Sequence, residues 1–306
     1  MIEVKKNNFL LNEEVNAYLN KIIKNKSFAN GYIFYGAEGL EKKQTALRFI
    51  KEIFKNSSPG ENITEEVSSE NHPDLLIIEP DFLLAAKRLK SLDLKKTAKI
   101  GSGIIKIDQI RNIKIFLGQK SIISGKKIVL IIDAHLLNES ASNCLLKILE
   151  EPSNGIFILL TTNLNLLLDT IISRCQIVRF RSLSSKRINS ILKDYLGNSK
   201  FNSTKFKNED LINSANGSPS QLLKSIEIWS QLSDEITSKL DSPIKNNIEI
   251  LEVSKLISEQ LEIDQQICLV NLIQIIWWRK TKNIDLLKKL ENLKSHLRKK
   301  IQPRLA

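Results

Sequence analysis

Cysteine, histidine and methionine are scarce in this sequence of 306 residues, which contains three cysteines, three histidines and one methionine. The cysteines, Cys144, Cys175 and Cys268, are odd in number and lie far apart along the chain. That spacing excludes a disulfide framework and matches no common set of zinc ligands. We therefore predict that the thiols are reduced and that the chain binds no metal and no other cofactor.

Long apolar runs are also lacking. No stretch approaches the roughly 18 uninterrupted apolar residues that span a membrane, and residues 1–15 lack the apolar core and small-residue cleavage site of a signal peptide. We therefore expect a cytoplasmic protein. The apolar content of 42% is nevertheless sufficient for the cores of two or three domains at this length.

Acidic residues are outnumbered by basic ones, which gives a formal net charge of +12. A charge of this sign suits phosphate neutralisation and hence a nucleic-acid partner. However, the basic residues are dispersed along a chain with only 6% aromatic residues, and they do not form a block with interleaved aromatics. The positive charge therefore has two possible explanations, direct contact with DNA or a lysine-rich composition without such a contact, and the sequence leaves both open.

Five short apolar runs, each bounded by polar residues or glycine, predict the strands of a parallel sheet buried on both faces. The runs are Tyr32–Tyr35, Leu75–Glu79, Ile128–Ile132, Ile156–Leu160 and Ile177–Phe180. Amphipathic helical patterns precede or separate them at Leu11–Ile23, Thr45–Ile53, Ile107–Leu117 and Ser140–Leu149. This alternation predicts an α/β domain over residues 1–182.

Only helical patterns follow Phe180, and Pro243 marks a further boundary. We therefore predict a small helical domain over residues 183–238 and a third, all-helical domain over residues 239–306. The segments between Lys55 and His72 and over Phe82–Gly103 have no clear period, which indicates surface insertions.

The first predicted strand leads into GAEGLEKKQTA at Gly36–Ala46, where a phosphate-binding loop of the form G-x-x-x-x-G-K-[ST] would lie. Gly36 and Gly39 remain and Lys42 falls at the lysine position, but Glu41 replaces the second glycine of the pattern and Lys43 replaces the hydroxyl residue. The pattern favours a turn that only connects strand to helix.

The run KIVLIIDAHLLN at Lys127–Asn138 has the form of a Walker B strand, with Asp133 as the carboxylate that would hold a metal ion. An ATPase of this type needs a glutamate next, as the base that activates water. This chain has Ala134 there. We expect the nucleotide site to be degenerate at both motifs.

A third segment carries a family resemblance. NESASNCLLKILEEP at Asn138–Pro152 and SRC at Ser173–Cys175 resemble the bacterial clamp-loader AAA+ proteins. The matching positions are Asn143, Leu145, Leu146, Lys147, Leu149, Glu150, Glu151, Pro152, Ser173, Arg174 and Cys175. The segments His72–Asp74 and Ile105–Arg111 are also similar to the family.

The resemblance implies an AAA+ parallel-sheet domain with a helical lid, followed by an all-α collar domain. It also implies that Arg174 acts in trans, as an arginine finger on ATP held by a neighbouring subunit. The phosphate-binding loop is broken, and no cysteine lies between residues 51 and 75, where the family's zinc module would be. The chain is therefore similar to those subunits of the loader that do not hydrolyse ATP. We expect that it is not an enzyme on its own.

The partners implied by the resemblance are gamma/tau-type ATPase subunits and a delta subunit in a hetero-pentamer, with the sliding clamp and primed DNA reached through the complex during replication. Ser220 or Gln221 would occupy the sensor-2 position, and Thr162 or Asn163 the sensor-1 position. Two alternatives stay open: an active AAA+ motor subunit that uses Lys42 despite Glu41, and a basic DNA-binding adaptor.

Overall fold

The structure is a computed structural model that describes residues 12–57, 67, 71–84, 87–90, 103–151, 155–197, 208–244 and 246–298. The described residues up to Arg181 form one compact unit, and those from Ser182 onward form a second. The predicted division into three domains, with boundaries after residues 182 and 238, stays a prediction.

The first unit alternates helices with strands. Its elements are α1 (Glu13–Asn25), β1 (Gly31–Tyr35), α2 (Lys42–Ser57), β2 (Leu75–Ile78), β3 (Asp81–Leu84), β4 (Lys87–Lys90), α3 (Ile107–Gly118), β5 (Lys127–Ile131), α4 (Glu139–Glu150), β6 (Gly155–Thr161), α5 (Asp169–Ile172) and β7 (Gln176–Arg179). The five apolar runs of the sequence are therefore β1, β2, β5, β6 and β7.

These five strands form one parallel sheet in the order β2-β5-β6-β1-β7. Every residue of β5 and β6 is buried, as expected of parallel strands that are covered on both faces. Side chains alternate between two cores: Tyr32 and Phe34 join the core of α1 and α2, whereas Ile33 joins the core of α3 and α4. The predicted sheet is confirmed.

Since all five strands run in one direction, the segments that follow them meet at the carboxyl edge of the sheet. The loop after β1 and the turn after β5 both lie at this edge. The segment that precedes β7 lies at the other, amino edge. This arrangement determines which of the predicted site residues can meet.

The sequence analysis assigned no strand to Phe82–Gly103, but β3 and β4 pair there as an antiparallel hairpin. The hairpin is tied to the rest of the unit through a bridge between Asp81 and Ile104. No compact turn signal such as Asn-Gly separates the two strands, so local pattern gives no indication of the pairing. Most of the insertion predicted between Lys55 and His72 lies outside the described residues.

All the regular elements in the described residues of the second unit are helices. Its helices are α6 (Ser185–Gly197), α7 (Asn208–Ala215), α8 (Pro219–Gln231), α9 (Asp234–Leu240), α10 (Asn247–Gln260), α11 (Ile263–Thr281) and α12 (Ile284–Arg298). The buried carboxylate of Asp210 in α7 pairs with Arg279 in α11 at 2.9 Å. Among the described residues, no helix has the length and apolar character needed to cross a lipid bilayer.

Candidate functional site

The loop that follows β1 has a backbone shape that favours glycine. It is left-handed at Gly39 (φ 77°) and again at Glu41 (φ 55°). A side chain in this region of backbone space costs about 1–2 kcal/mol. Glu41 therefore stands, under strain, at the position where the phosphate-binding pattern has its second glycine.

Gly36 is needed for packing. A Cβ atom at this position would lie 2.5 Å from the carbonyl oxygen and 2.8 Å from the Cβ of Phe180, which follows β7. No side chain fits in that space. The first glycine of the pattern thus has a structural reason that is independent of any phosphate.

The Glu41 side chain changes the electrostatics of the loop. Burial raises the pKa of its carboxyl group, while the positive charge of Arg48 in α2 lowers it in part. A half-buried acidic group beside the loop opposes the approach of a polyphosphate, which carries several negative charges.

Lys42, at the position of the phosphate-binding lysine, points back into its own loop. Its Nζ donates to the carbonyl oxygens of Gly36 at 2.6 Å and Ala37 at 2.7 Å. Burial lowers the pKa of Lys42, whereas the negative charges of Asp133 and Glu38 raise it. The ammonium group thus has neutral acceptors where a working loop would offer it a phosphate.

Lys43, at the position of the magnesium-binding hydroxyl, forms an ion pair with Glu79 at 3.0 Å. Glu79 directly follows β2. A second ammonium group therefore stands where the pattern requires an oxygen ligand for a cation.

The Walker-B-like strand ends as the sequence predicts, but it brings no base to the loop. Asp133 is half-buried and left-handed (φ 52°), and it starts a short 3₁₀ turn at Ala134. Ala134 is fully buried. Its methyl group takes the place of the carboxylate that would accept a proton from water.

Arg174 lies in the turn between α5 and β7, where its guanidinium group is held by two acceptors. Nη1 donates to the carbonyl oxygen of Thr170 at 2.9 Å, and Nη2 donates to Glu150 Oε1 at 2.7 Å. The side chain remains 39% exposed. The arginine is therefore oriented but still accessible from solvent.

The strand register separates Arg174 from the degenerate loop. β7 pairs with β1 in parallel, with Gln176 opposite Tyr32 and Arg179 opposite Tyr35. Arg174 precedes β7 and the loop follows β1, so they lie at opposite edges of the sheet, about six residues or roughly 20 Å apart along the strand direction. The structure brings Gly36, Gly39, Lys42 and Asp133 to one edge and leaves Arg174 at the other.

The cysteine after Arg174 serves packing. A Cβ atom on Gly31 would lie 2.6 Å from Cys175 Sγ, so the thiol fills the space that this glycine leaves. Burial raises the pKa of the Cys175 thiol to about 11. At neutral pH the group is a neutral thiol, which is a poor nucleophile.

The other family-like positions support this geometry. Leu145 and Leu149 of α4 are buried in the core, whereas Glu150 and Glu151 at the helix end pair with Arg174 and Lys114. Pro152 lies outside the described residues.

The residues predicted for the two sensor positions lie in segments with local hydrogen bonds. Ser218 caps α8 by accepting from Gln221 N at 3.2 Å, which places Ser220 and Gln221 in the first turn of that helix. At the end of β6, Asn163 N donates to the buried Thr161 Oγ1 at 3.1 Å. Both positions have local structural roles.

No three potential metal ligands lie close together in the part of the chain that the structure describes. The absence of a bound metal stays a prediction.

Comparison with known families decides the identity of the fold. The family described as "DNA polymerase III, delta subunit" matches residues 11–184, and the family described as "Cyanobacterial DNA polymerase III delta prime, C-terminal domain" matches residues 186–306. The chain belongs to the DNA polymerase III delta-prime family. The matched regions meet close to the boundary between the two compact units.

Individual relatives agree with this membership. The delta-prime subunit of Bacillus subtilis DNA polymerase III is 32% identical over 172 residues, which cover 54% of this chain and 46% of the relative. The delta-prime subunit of Pseudomonas aeruginosa is 29% identical over 154 residues, covering 48% and 42%. The matches thus span less than half the length of these delta-prime relatives.

A solved structure supports the fold class. A DNA polymerase III gamma-subunit-related protein from Thermotoga maritima superimposes with a TM-score of 0.53 at 17% identity, covering 94% of this chain and 95% of that one. The predicted AAA+ fold, a parallel-sheet domain followed by helices, is confirmed for this delta-prime family member.

Two positions in this delta-prime sequence have roles that the sequence analysis did not assign. The sequence analysis named Glu150 only as a residue of the family-like motif. In the structure it contacts Arg174, which lies 24 residues later in the chain. Asp74 is fully buried and accepts hydrogen bonds from residues 121–124. The aspartate that ends the family-like His72–Asp74 segment, directly before a predicted strand, was the sequence signal that could have indicated a structural anchor.

Proposed function

We propose that this chain is an accessory subunit of a DNA polymerase III clamp loader, that it does not hydrolyse ATP, and that it provides Arg174 to an ATP site on a neighbouring subunit. Membership in the delta-prime family supports the first part. The geometry of the loop and of Arg174 supports the other two.

Three side chains argue against hydrolysis by the chain itself. Glu41 adds negative charge beside the loop, Lys43 replaces the magnesium-binding hydroxyl, and Ala134 replaces the general base. Lys42 meanwhile bonds to carbonyl groups of its own loop. Because phosphate access, metal binding and water activation are all affected, no single substitution is expected to create an active site.

The observation that carries the proposal is the placement of Arg174. The arginine lies at the sheet edge opposite its own loop, so a role in ATP chemistry requires a site on another chain. It is 39% exposed and oriented by Glu150 and Thr170. A guanidinium group keeps its charge at all working pH values and can bind two phosphate oxygens at once, which suits a transition state with growing negative charge.

The partners in this proposal are gamma/tau-type ATPase subunits and a delta subunit in a hetero-pentamer, which acts on the sliding clamp and primed DNA. An apolar face on α10 supports assembly with other chains. Ile248 and Leu251 are 67% and 61% exposed there, one helical turn apart. Apolar groups grouped on one helix face are typical of surfaces that become buried against a partner.

The arginine substitutions test the proposal in a reconstituted loader. Arg174→Ala and Arg174→Lys should still assemble, while DNA-stimulated ATP hydrolysis and clamp loading fall by about tenfold or more, since arginine fingers contribute about 10³–10⁵ where one site is measured alone. Lysine should rescue poorly because it lacks the planar fork. Arg179→Ala is the matched control and should load clamps normally, because Arg179 is an exposed arginine at the far end of β7, near the opposite edge of the sheet.

Clamp loading at the parental rate by both Arg174 variants would overturn the role in trans. A loader in which Arg174→Ala fails to assemble would indicate a structural role instead.

A further inference from the structure

A cavity of about 290 Å³ lies at the amino edge of the sheet, where β5 and β6 begin. Its wall consists of the end of α3, the segment that leads into β5, and the first residue of each of these two strands. The lining residues that matter for its chemistry are Leu117, Lys120, Ser121, Gly125 and Lys127. The volume is that of about ten water molecules, so a small solute fits inside.

Lys127, the first residue of β5, is only 5% exposed. Its Nζ donates to the carbonyl oxygen of Phe116 and lies 4.4 Å from the centroid of the Phe116 ring. That carbonyl group belongs to the peptide that joins Phe116 to Leu117, so the ammonium group lies beside the cavity wall. Among the described residues, no carboxylate forms an ion pair with Lys127. Buried lysines are normally paired with an acid, so this charge lacks its usual counter-ion.

The rest of the cavity wall is also positive. Lys120 lines it and is exposed, and none of the described lining residues is acidic. One carboxylate lies behind the wall, since Asp74 accepts from Ser121 Oγ at 2.9 Å. Asp74 also accepts from three backbone N–H groups and one hydroxyl group of residues 122–124, so its charge is already compensated by hydrogen bonds. The two lysines therefore determine the charge of the cavity.

The loop offers further donors. The backbone N–H groups of Lys120, Ser121 and Gly125 donate to no other group in the part of the chain that the structure describes. A Cβ atom on Gly125 or on Gly118, which also lines the cavity, would meet no atom within 4 Å, so this side of the cavity is open to solutes. Ammonium groups and backbone N–H groups together are the donors with which proteins hold oxyanions.

We propose that this cavity is a binding site for a small, doubly charged oxyanion of the phosphate class, held by Lys127, Lys120 and backbone N–H groups of the segment between α3 and β5. Two positive charges favour a divalent anion over a monovalent one. A phosphate group in DNA carries a single negative charge and is attached to sugars on two sides, so a free ion suits a buried lysine better. The site lies at the sheet edge opposite the degenerate loop and is independent of the proposed function.

The test is a titration of the full-length chain with inorganic phosphate at constant ionic strength and about pH 8, followed by phosphorus NMR. We expect one saturable site with a Kd of about 1 mM, the affinity of two or three charge-assisted hydrogen bonds. Sulfate should compete, whereas monovalent acetate should bind at least about tenfold more weakly.

Lys127→Met should weaken phosphate binding about tenfold or more, because it keeps an unbranched apolar stem and removes the charge. Lys120→Gln, at an exposed position, should weaken it about threefold. Lys126→Gln is the matched control and should bind phosphate like the parent. Lys126 is the preceding residue, but its Nζ lies 4.2 Å from the ring centroid of Phe28, in the core on the other face of the sheet.

Equal phosphate affinity for the parent, Lys127→Met and Lys126→Gln, or a signal that rises without saturation, would overturn the site. If Lys127→Met does not fold, the exposed Lys120→Gln decides, and an affinity equal to that of the parent would overturn it. Displacement of phosphate by single-stranded DNA that itself depends on Lys127 would also overturn it, in favour of a nucleic-acid contact. Each of these results would leave the proposed loader function intact, since none involves another subunit.

Discussion

Replacing the Asp74 carboxylate should lower stability by an amount that depends on pH. Burial of this group raises its pKa, but the hydrogen bonds from Ser124, Ile122 and Ile123 together outweigh burial, and the pKa falls from 3.8 to about 2. A difference of this size corresponds to about 2 kcal/mol of stability, at about 1.4 kcal/mol per pH unit. Asp74→Asn keeps the shape of the side chain and removes the charge.

The sign follows from the direction of the shift. Because the folded-state pKa is below the ordinary value, the carboxylate contributes its full stabilisation above about pH 4 and loses it as pH falls toward 2. Urea unfolding of the parent and of Asp74→Asn should therefore differ by about 2 kcal/mol at pH 6. The difference should shrink steadily below pH 4.

Asp108→Asn is the matched control. Asp108 is an acidic residue of α3 whose side chain is 80% exposed, and it forms an ion pair with Arg111. The variant's free energy of unfolding should stay within about 1 kcal/mol of that of the parent at pH 6 and at pH 2.5, the scale of an exposed ion pair and of a charge in the first turn of a helix. If Asp74→Asn and the parent differ equally at pH 6 and pH 2.5, the charge of Asp74 does not hold residues 121–124, and the reasoning is wrong.

Three further outcomes are expected. Glu150→Gln, which weakens the hold on Arg174, should lower DNA-stimulated ATP hydrolysis of a reconstituted loader by up to about fivefold, the scale of an exposed ion pair. Glu151→Gln, which affects the neighbouring pair, should leave the rate unchanged, and equal rates for the two variants would contradict a positioning role. The isolated chain should bind and hydrolyse ATP only at background level, and Lys42→Ala should not alter either measurement in a nucleotide titration. Leu251→Glu should leave the thermal midpoint unchanged but reduce co-elution with the other loader subunits in size-exclusion chromatography.

The sheet could be predicted from sequence because its strands are short, rich in β-branched residues and bounded by polar positions. Each predicted run, such as Ile156–Leu160 within Gly155–Thr161, lies within about two residues of the observed strand ends. Helix α9 could not be predicted from apolar periodicity, although Ser233 accepts from Ile236 N at its first turn. The capping pattern of a serine followed by two acidic residues was present, but a helix of seven residues carries little periodic signal.

The loss of the nucleotide-binding and catalytic groups could be predicted from the sequence, but the geometry of the candidate site could not. The loss of a functional group is visible in the residue type itself, so Glu41 and Ala134 were sufficient to predict a degenerate nucleotide site. The left-handed backbone at Glu41 and the bonds from Lys42 to its own loop depend on how the chain closes around β1. The contact between Arg174 and Glu150 depends on the packing of α4 beside α5, which no spacing in the sequence records.

The space shared by Gly31 and Cys175 has a consequence for how this fold can vary. Because a methyl group at position 31 would lie 2.6 Å from the sulfur atom, the two positions cannot change independently. An alanine at position 31 requires a smaller residue at position 175 or a shift of β7 away from β1. Such a shift would carry the adjacent Arg174 with it. In an alignment of relatives we therefore expect these two positions to covary, and chains that gain a side chain at position 31 but keep a cysteine at position 175 to lose the adjacent arginine as a functional group.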